Sequence, residues 1–543
     1  MLYKKSKEKD LSKVLFKNPT SEYRGAPFWA WNCELKKDEL LWQIEQLKAM
    51  GLGGFHMHSR DGMATPYLSD EFMELIESCV DKAEKEGMYA YLYDEDRWPS
   101  GSAGGIITKD RKYAQRYLFF TTKHEDNAVS FDEAYETGKP YFVAAYDIIL
   151  NDNGELLKYN KIEFDGDAKG TKWYAYIKTP HPKGWFNNEC YVNTLSKEAI
   201  EKFISTTHET YKKKVGDRFG KVIPSIFTDE PQFSLKETLD FAQSKMDVTL
   251  PWAMDLEDTY KEHYGESLID KLPELFWELP ESEISVTRYN YHDHVTFRFT
   301  EAFADNCGIW CENNGIALTG HMVEEATLHL QTSSIGEAMR AYTHFAIPGI
   351  DILCNNVETT TAKQAQSNVH QYGKEGMMAE LYGVTNWDFD FRGHKFQGDW
   401  LAALGVTLRV HHLSWVSMKG PAKRDYPASI NYQSPWYKEY KYVEDHFARL
   451  NTALTRGKPE VKVGVIHPIE TYWLHFGPKE NTAAIRERLD EQFVDINRWL
   501  LEGLIDFDYI CESTLPNQRA EITDTLQVGK MKYSAIIVAG CET

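Results

Sequence analysis

Short apolar runs alternate with amphipathic stretches along most of the chain, and turns bearing carboxylates or histidines follow many of the runs. Such alternation predicts a parallel sheet covered by helices. Candidate strands fall at 27–31, 54–58, 89–93, 223–228, 317–321, 349–353, 377–382 and 406–415, and eight of them predict a closed (β/α)₈ TIM barrel. Helices between strands carry the expected end signals. One over 37–50 stops at Gly51, and one over 69–86 starts from a Ser69 N-cap and stops at Gly87.

Two stretches break the rhythm. From about 117 to 178, alternating segments such as Tyr141-Phe-Val-Ala-Ala-Tyr-Asp-Ile-Ile and a turn over 151–154 predict antiparallel hairpins, a β insertion after the third strand. From about 234 to 306 a charged, helix-rich insertion separates the fourth strand from the fifth, and both insertions are expected at the catalytic rim. After a helix ending near Arg456-Gly457, the strand-like Val461-Lys-Val-Gly-Val-Ile-His-Pro opens a second α/β pattern, with a helix around 486–502 and another strand over 534–540. The organisation is therefore a lead segment 1–25, a barrel 26–457 and a partial α/β domain 461–543, expected to be truncated because an open sheet needs more elements to cover its face.

Composition narrows the function. Over 543 residues, 61 basic against 82 acidic side chains give a net charge of −21, which argues against nucleic-acid or anionic-membrane partners and favours a neutral substrate. Aromatic residues at 13%, with 15 Trp, would suit a carbohydrate cleft, although most aromatics are core. The eight cysteines form no C-x-x-C, and Cys307 and Cys311 at helical spacing read as buried thiols on one face, so no disulfides are expected. The first ten residues lack an apolar core after their charges, and no apolar run reaches membrane length, so a cytoplasmic protein is expected.

In such barrels the chemistry sits at the carboxyl ends of the strands. The fourth strand ends Ile226-Phe-Thr-Asp-Glu230-Pro and the seventh Met378-Ala-Glu380-Leu-Tyr-Gly. Strands four and seven face one cleft, and glycoside hydrolysis needs two carboxyls, one to protonate the leaving oxygen and one to activate water or attack the anomeric carbon. Glu230 and Glu380 are thus the candidate catalytic pair, against the simpler reading that they form structural ion pairs.

The second strand carries His56 and His58 on one side, a spacing open to metal ligation as in amidohydrolases, to sugar hydrogen bonding by His58, or to burial. The third ends in Asp94, Glu95 and Asp96 before Arg97, Trp98 and a Gly-rich loop. That loop lacks phosphate-loop spacing and its acids would repel phosphate; they suit sugar hydroxyls or a hard cation, or a pairing with Arg97. The fifth ends with His321, Glu324 and Glu325, and Glu324 is a rival for the base. Candidate sugar contacts are His58, Asp94, Asp96, Trp98, His321 and Glu324. Asp351, Trp387, Asp388 and Asp390 are rim groups without an assigned catalytic role, and the metal ligands are unassigned.

As a set, Phe28-Trp-Ala-Trp-Asn32, Gly53-Gly-Phe-His-Met-His-Ser-Arg60, Tyr93-Asp-Glu-Asp-Arg-Trp-Pro-Ser-Gly101, Tyr191-Val-Asn-Thr-Leu-Ser-Lys-Glu-Ala, Phe227-Thr-Asp-Glu-Pro231 and Ala379-Glu-Leu-Tyr-Gly383 resemble glycoside hydrolase family 106, the α-L-rhamnosidases, over roughly 25–540. The resemblance implies an inverting hydrolase that removes terminal α-L-rhamnose from plant polysaccharide or glycoside, with Glu230 as general acid, Glu380 as general base, and often Ca²⁺ at the sugar; no organic cofactor is implied. It also implies that the domain from Val461 is flavodoxin-like. Asp96-Arg97 departs from the family pattern near the site, and family members are usually longer. The alternatives are a glycosidase of other sugar specificity, a metal-dependent amidohydrolase-like enzyme and a non-catalytic carbohydrate-binding protein.

Overall fold

The computed structural model describes residues 10–518 and 524–542. Most of the N-terminal stretch read for a secretory signal lies outside them. Eight parallel strands form the barrel: β1 (Phe28–Trp31), β2 (Gly54–Ser59), β3 (Tyr89–Tyr93), β4 (Ser225–Asp229), β5 (Ala317–His321), β6 (Ile347–Leu353), β7 (Met377–Gly383) and β8 (Val406–His411). They pair in sequence order. Closure needs one departure from the expected 406–415 strand. The chain breaks after His411, and its tail Ser414–Trp415 pairs in parallel with β1, so one run serves two edges of the sheet.

Two apolar layers follow from the period-two alternation of the strands. The barrel interior is filled by inward groups including Phe28, Tyr91, Tyr93, Phe227, Met378 and Leu408. The larger cluster lies between strands and outer helices, as where Leu40, Ile44 and Leu47 of the helix Lys37–Ala49 pack inward. The helix Asp70–Glu86 has its predicted ends: the Ser69 hydroxyl accepts the Phe72 N–H, and Gly87 takes the left-handed conformation at φ 68°. Cys307 and Cys311 are both buried, and all eight cysteines are free thiols.

The two insertions are less separate than the sequence suggested. Four antiparallel strands between 116 and 178 are joined by a fifth, Val248–Trp252, from the helix-rich second insertion, which pairs with Arg116–Thr121. Its short run, interrupted by Pro251, gave too little alternation to stand out from charged helical sequence. The lead segment is tied to the barrel: Tyr23 is in the interior cluster and Arg24 pairs with Asp445 at 2.9 Å. Beyond the helix Lys441–Leu454, a parallel sheet runs in the order Phe507–Ile510, Val463–Ile466, Ala535–Ile537. A 2-1-3 order is how a flavodoxin-like sheet begins. Among the described residues no helix is long and apolar enough to cross a membrane.

Candidate active site

A cleft of ≈ 420 Å³ opens at the carboxyl ends of the barrel strands and contains Glu230 and Glu380 together with Asp229 and Asp351. Strand register assembles these acids. Asp229 at the end of β4 is the direct neighbour of His321 on β5, and Asp351 on β6 is the direct neighbour of Glu380 on β7. Close approach of β4 and β5 depends on Gly320, whose backbone at φ 131° lies where a Cβ would meet the Thr228 carbonyl oxygen at 1.9 Å. Glu230 follows the last residue of β4 in the left-handed region at φ 48°, with Pro231 barring further strand. Such backbone is uncommon for a side chain other than glycine and concentrates at functional sites.

His321 organises the floor. Its Nδ1 contacts the Met322 carbonyl oxygen at 2.8 Å, which can only accept, so Nδ1 carries a proton. Its Nε2 lies 2.9 Å from Glu380 Oε2 and 3.3 Å from Asp229 Oδ1, two further acceptors. Burial opposes a charge here. The hydrogen bond to Glu380 and the charges of Asp229, Glu380 and Asp351 outweigh it and hold the imidazole protonated well above its ordinary range.

The acids occupy different environments. Burial, reinforced by repulsion from Asp229, pushes Glu230 up to about 8, so it is protonated at neutral pH. Burial raises Asp229 to about 6 against the pull of His321, and its other oxygen accepts the Tyr93 hydroxyl at 2.6 Å. Asp351 is raised well above the carboxylate range by burial and then by Glu380, and its Oδ1 is buried without a hydrogen-bond partner. One protonated carboxyl and one carboxylate paired with a cation thus face a common space.

Around them, His58 and Trp98 line the cleft. His58 stacks on Tyr93 with centroids 4.0 Å apart, and burial and then Arg60 keep it neutral. His321 lies beneath the carboxylates and is fully buried, so its contacts are acids rather than a cleft occupant. Like His321, three more expected contacts are not in the lining. Asp94 is buried and its Oδ1 accepts the Ser100 hydroxyl at 2.5 Å. Asp96 is taken up by Arg97 at 3.2 Å and by Asn187 at 3.1 Å. Glu324 turns out to solvent at φ 62°, whereas its neighbour Glu325 turns inward to the Tyr342 hydroxyl at 2.9 Å. Both acids lie beyond the end of β5 at His321, where strand alternation no longer says which of them points inward.

Reading the residues alone missed Arg60, Asp229, His412 and Tyr426 as lining groups. The Arg60 guanidinium sits 4.5 Å from the Trp98 ring, 5.1 Å from Trp415 and 5.6 Å from Tyr426. Its position two residues beyond His58 was the available signal. The Gly-rich loop also has a use: Glu95 Oε2 accepts N–H groups of Gly101, Ser102 and Ala103 at 2.7–2.9 Å, and Oε1 accepts those of Asp96 and Gly104. The loop is an anion nest filled by the chain's own carboxylate.

The metal reading of His56 and His58 finds no support. His56 Nδ1 bonds the Ala26 carbonyl at 2.9 Å and its ring stacks on Tyr91, deep in the barrel. Among the described residues, the one group spaced to hold a metal is Asp229, His321 and Glu380.

No protein-family profile and no curated protein matches this sequence. Solved structures do match. A rhamnosidase from Novosphingobium sp. PP1Y superposes with a TM-score of 0.64 at 12% identity, over 98% of this chain and 67% of that one. A GH42 β-galactosidase, Gan42B, superposes with a TM-score of 0.50 at 11% identity, over 90% of this chain and 67% of that one. At these identities the likeness is one of fold, a barrel shared with these two enzymes.

Proposed function

We propose that this protein is a glycoside hydrolase that releases terminal α-L-rhamnose with inversion, using Glu230 as general acid and Glu380 as general base. The observation that carries the reading is the split in one cleft between a carboxyl pushed up to about 8 and a carboxylate held by the buried His321 imidazolium. Pairs of acids driven apart by their surroundings are how one site runs acid and base chemistry together. Glu230 passes its proton to the glycosidic oxygen as the bond to the anomeric carbon breaks. Water on the opposite face loses a proton to Glu380 and bonds to that carbon, giving free sugar and a protonated Glu380. His58 and Trp98 offer a hydrogen-bonding edge and a flat ring to the sugar. Rhamnose itself rests on the motif resemblance, supported by the likeness of fold to a rhamnosidase.

Ca²⁺ fits part of this site. The Asp229–His321–Glu380 group suits it poorly, because His321 uses both ring nitrogens as donors and Ca²⁺ prefers oxygen ligands. Asp351, with a buried oxygen lacking any partner and Glu380 beside it, is the residue that would hold the ion. When bound, the ion would supply a positive charge for sugar hydroxyls.

The test is a panel of aryl glycosides assayed with and without a chelator. Turnover of the α-L-rhamnoside above all others is expected, with a lower rate after chelation; turnover of a different sugar reassigns the specificity, and none of any sugar overturns the enzyme reading. Because Glu230 must carry its proton, kcat/KM is expected to fall as pH rises through about 8. A rate profile flat to well above that pH would exclude Glu230 as the acid.

A further inference from the structure

Away from the barrel mouth, a second cleft of ≈ 1000 Å³ lies between the helical insertion, the helix Leu328–Ser334 and the long helix Lys479–Glu502. Two basic side chains in its wall are more than nine-tenths buried, Lys236 at 7% exposure and Arg486 at 6%. Lys236 has no carboxylate for a partner. Its Nζ donates to His292 Nδ1 at 3.1 Å and lies 4.7 Å from the Phe233 ring centroid and 5.9 Å from that of Tyr291. Arg486 keeps its Nε buried with no hydrogen-bond partner and packs its guanidinium 5.3 Å from the Phe476 ring centroid, while the same side chain bonds Tyr472 and has the Asp490 carboxyl as its neighbouring charge. A buried amine with no carboxylate partner and a buried guanidinium whose Nε–H is unsatisfied leave donors on one cleft wall that an arriving anion would engage.

The remaining charges are mostly committed. Lys479 pairs with Asp240 at 2.7 Å, Glu237 accepts the Thr249 hydroxyl at 3.0 Å, and Asp490 accepts the His329 N–H at 3.1 Å. Burial pushes the Asp490 carboxyl up to about 6, which lessens its competition with a ligand at lower pH. Glu487 is the other acid in the lining. On the far side of Lys236, His292 is held neutral by burial and by the nearby charges of Lys236 and Arg288.

We propose that this cleft binds a small oxyanion, a phosphate monoester or a carboxylate, between Lys236 and Arg486. Charge-assisted hydrogen bonds from an ammonium and a guanidinium suit both chemistries. A proton accompanies the ligand. Burial holds the free Lys236 amine well below the ordinary lysine range, so an anion that stabilises the ammonium draws a proton from solvent, and affinity falls as pH rises.

Isothermal titration of the full chain with inorganic phosphate, and separately with succinate, tests the site in two buffers of different ionisation enthalpy. Expected are dissociation constants on the order of 1 mM, proton uptake on binding, and affinity about tenfold or more weaker in both Lys236→Met and Arg486→Gln. Both variants should unfold at temperatures near the wild type and keep wild-type turnover, because neither residue touches the barrel cleft. Phosphate binding alone assigns a phosphate ligand, succinate binding alone a carboxylate, and binding of both the shared oxyanion chemistry. No binding of either up to about 10 mM, or binding that survives both substitutions, overturns the proposal whatever the barrel site hydrolyses.

Discussion

Glu230→Gln is expected to lower kcat by about 10²- to 10⁴-fold on a rhamnoside with a sugar or alkyl leaving group, the range a positioned proton donor supplies. On a nitrophenyl rhamnoside the same variant should lose far less, because a phenolate departs without needing the proton. Glu380→Gln should lose comparably on both substrates, since activation of water is required whatever departs. The contrast separates the roles rather than only the importance of the residues. A reversed pattern would exchange acid and base, and unchanged turnover in either variant on the sugar-leaving substrate would remove that residue from the mechanism. The assignment is sharp because the surroundings differ: Glu230 is half-buried beside Asp229, whereas Glu380 accepts a hydrogen bond from a charged imidazole at 2.9 Å.

The strands of the barrel were legible because each is a short apolar run closed by a turn, and two of them, β3 and β5, begin and end where the pattern predicted. Their carboxyl ends pointed to Glu230 and Glu380 through the architecture alone. Packing decided the rest. Nothing in Asp94-Glu-Asp96 distinguishes three acids that fold into a hydroxyl contact, an amide nest and an ion pair with Arg97. Asp229 and Glu230 are adjacent in sequence, yet one binds His321 from the floor and the other faces the cleft from left-handed backbone. The fifth strand of the inserted sheet was hidden for a related reason, since it is defined by a partner more than 120 residues earlier, Val248 opposite Phe120.

The second large effect is expected at His321. Replacing it by Gln removes the positive charge between Asp229 and Glu380 and leaves buried acids without a counter-ion, a loss of about 3–5 kcal/mol by the usual cost of breaking a buried pair. The sign with pH follows from direction. The folded imidazole titrates well above its unfolded value near 6.5, so its stabilisation is complete below about 6.5 and disappears as pH rises through the folded value. Below about 6, protonation of Asp229 relieves the repulsion in the wild type, and in the variant, where the pull of His321 is gone, the same protonation comes at higher pH. Denaturant unfolding should therefore show the widest gap between His321→Gln and wild type near neutral pH, narrowing toward alkaline pH. The acidic limb of kcat/KM should also move to higher pH, because a carboxylate deprived of its cation takes up a proton more readily. A merely structural histidine would shift stability and leave that limb in place. A variant within about 1 kcal/mol of wild type at neutral pH would mean that the carboxylates hold the proton, and the base would then need a different source of orientation.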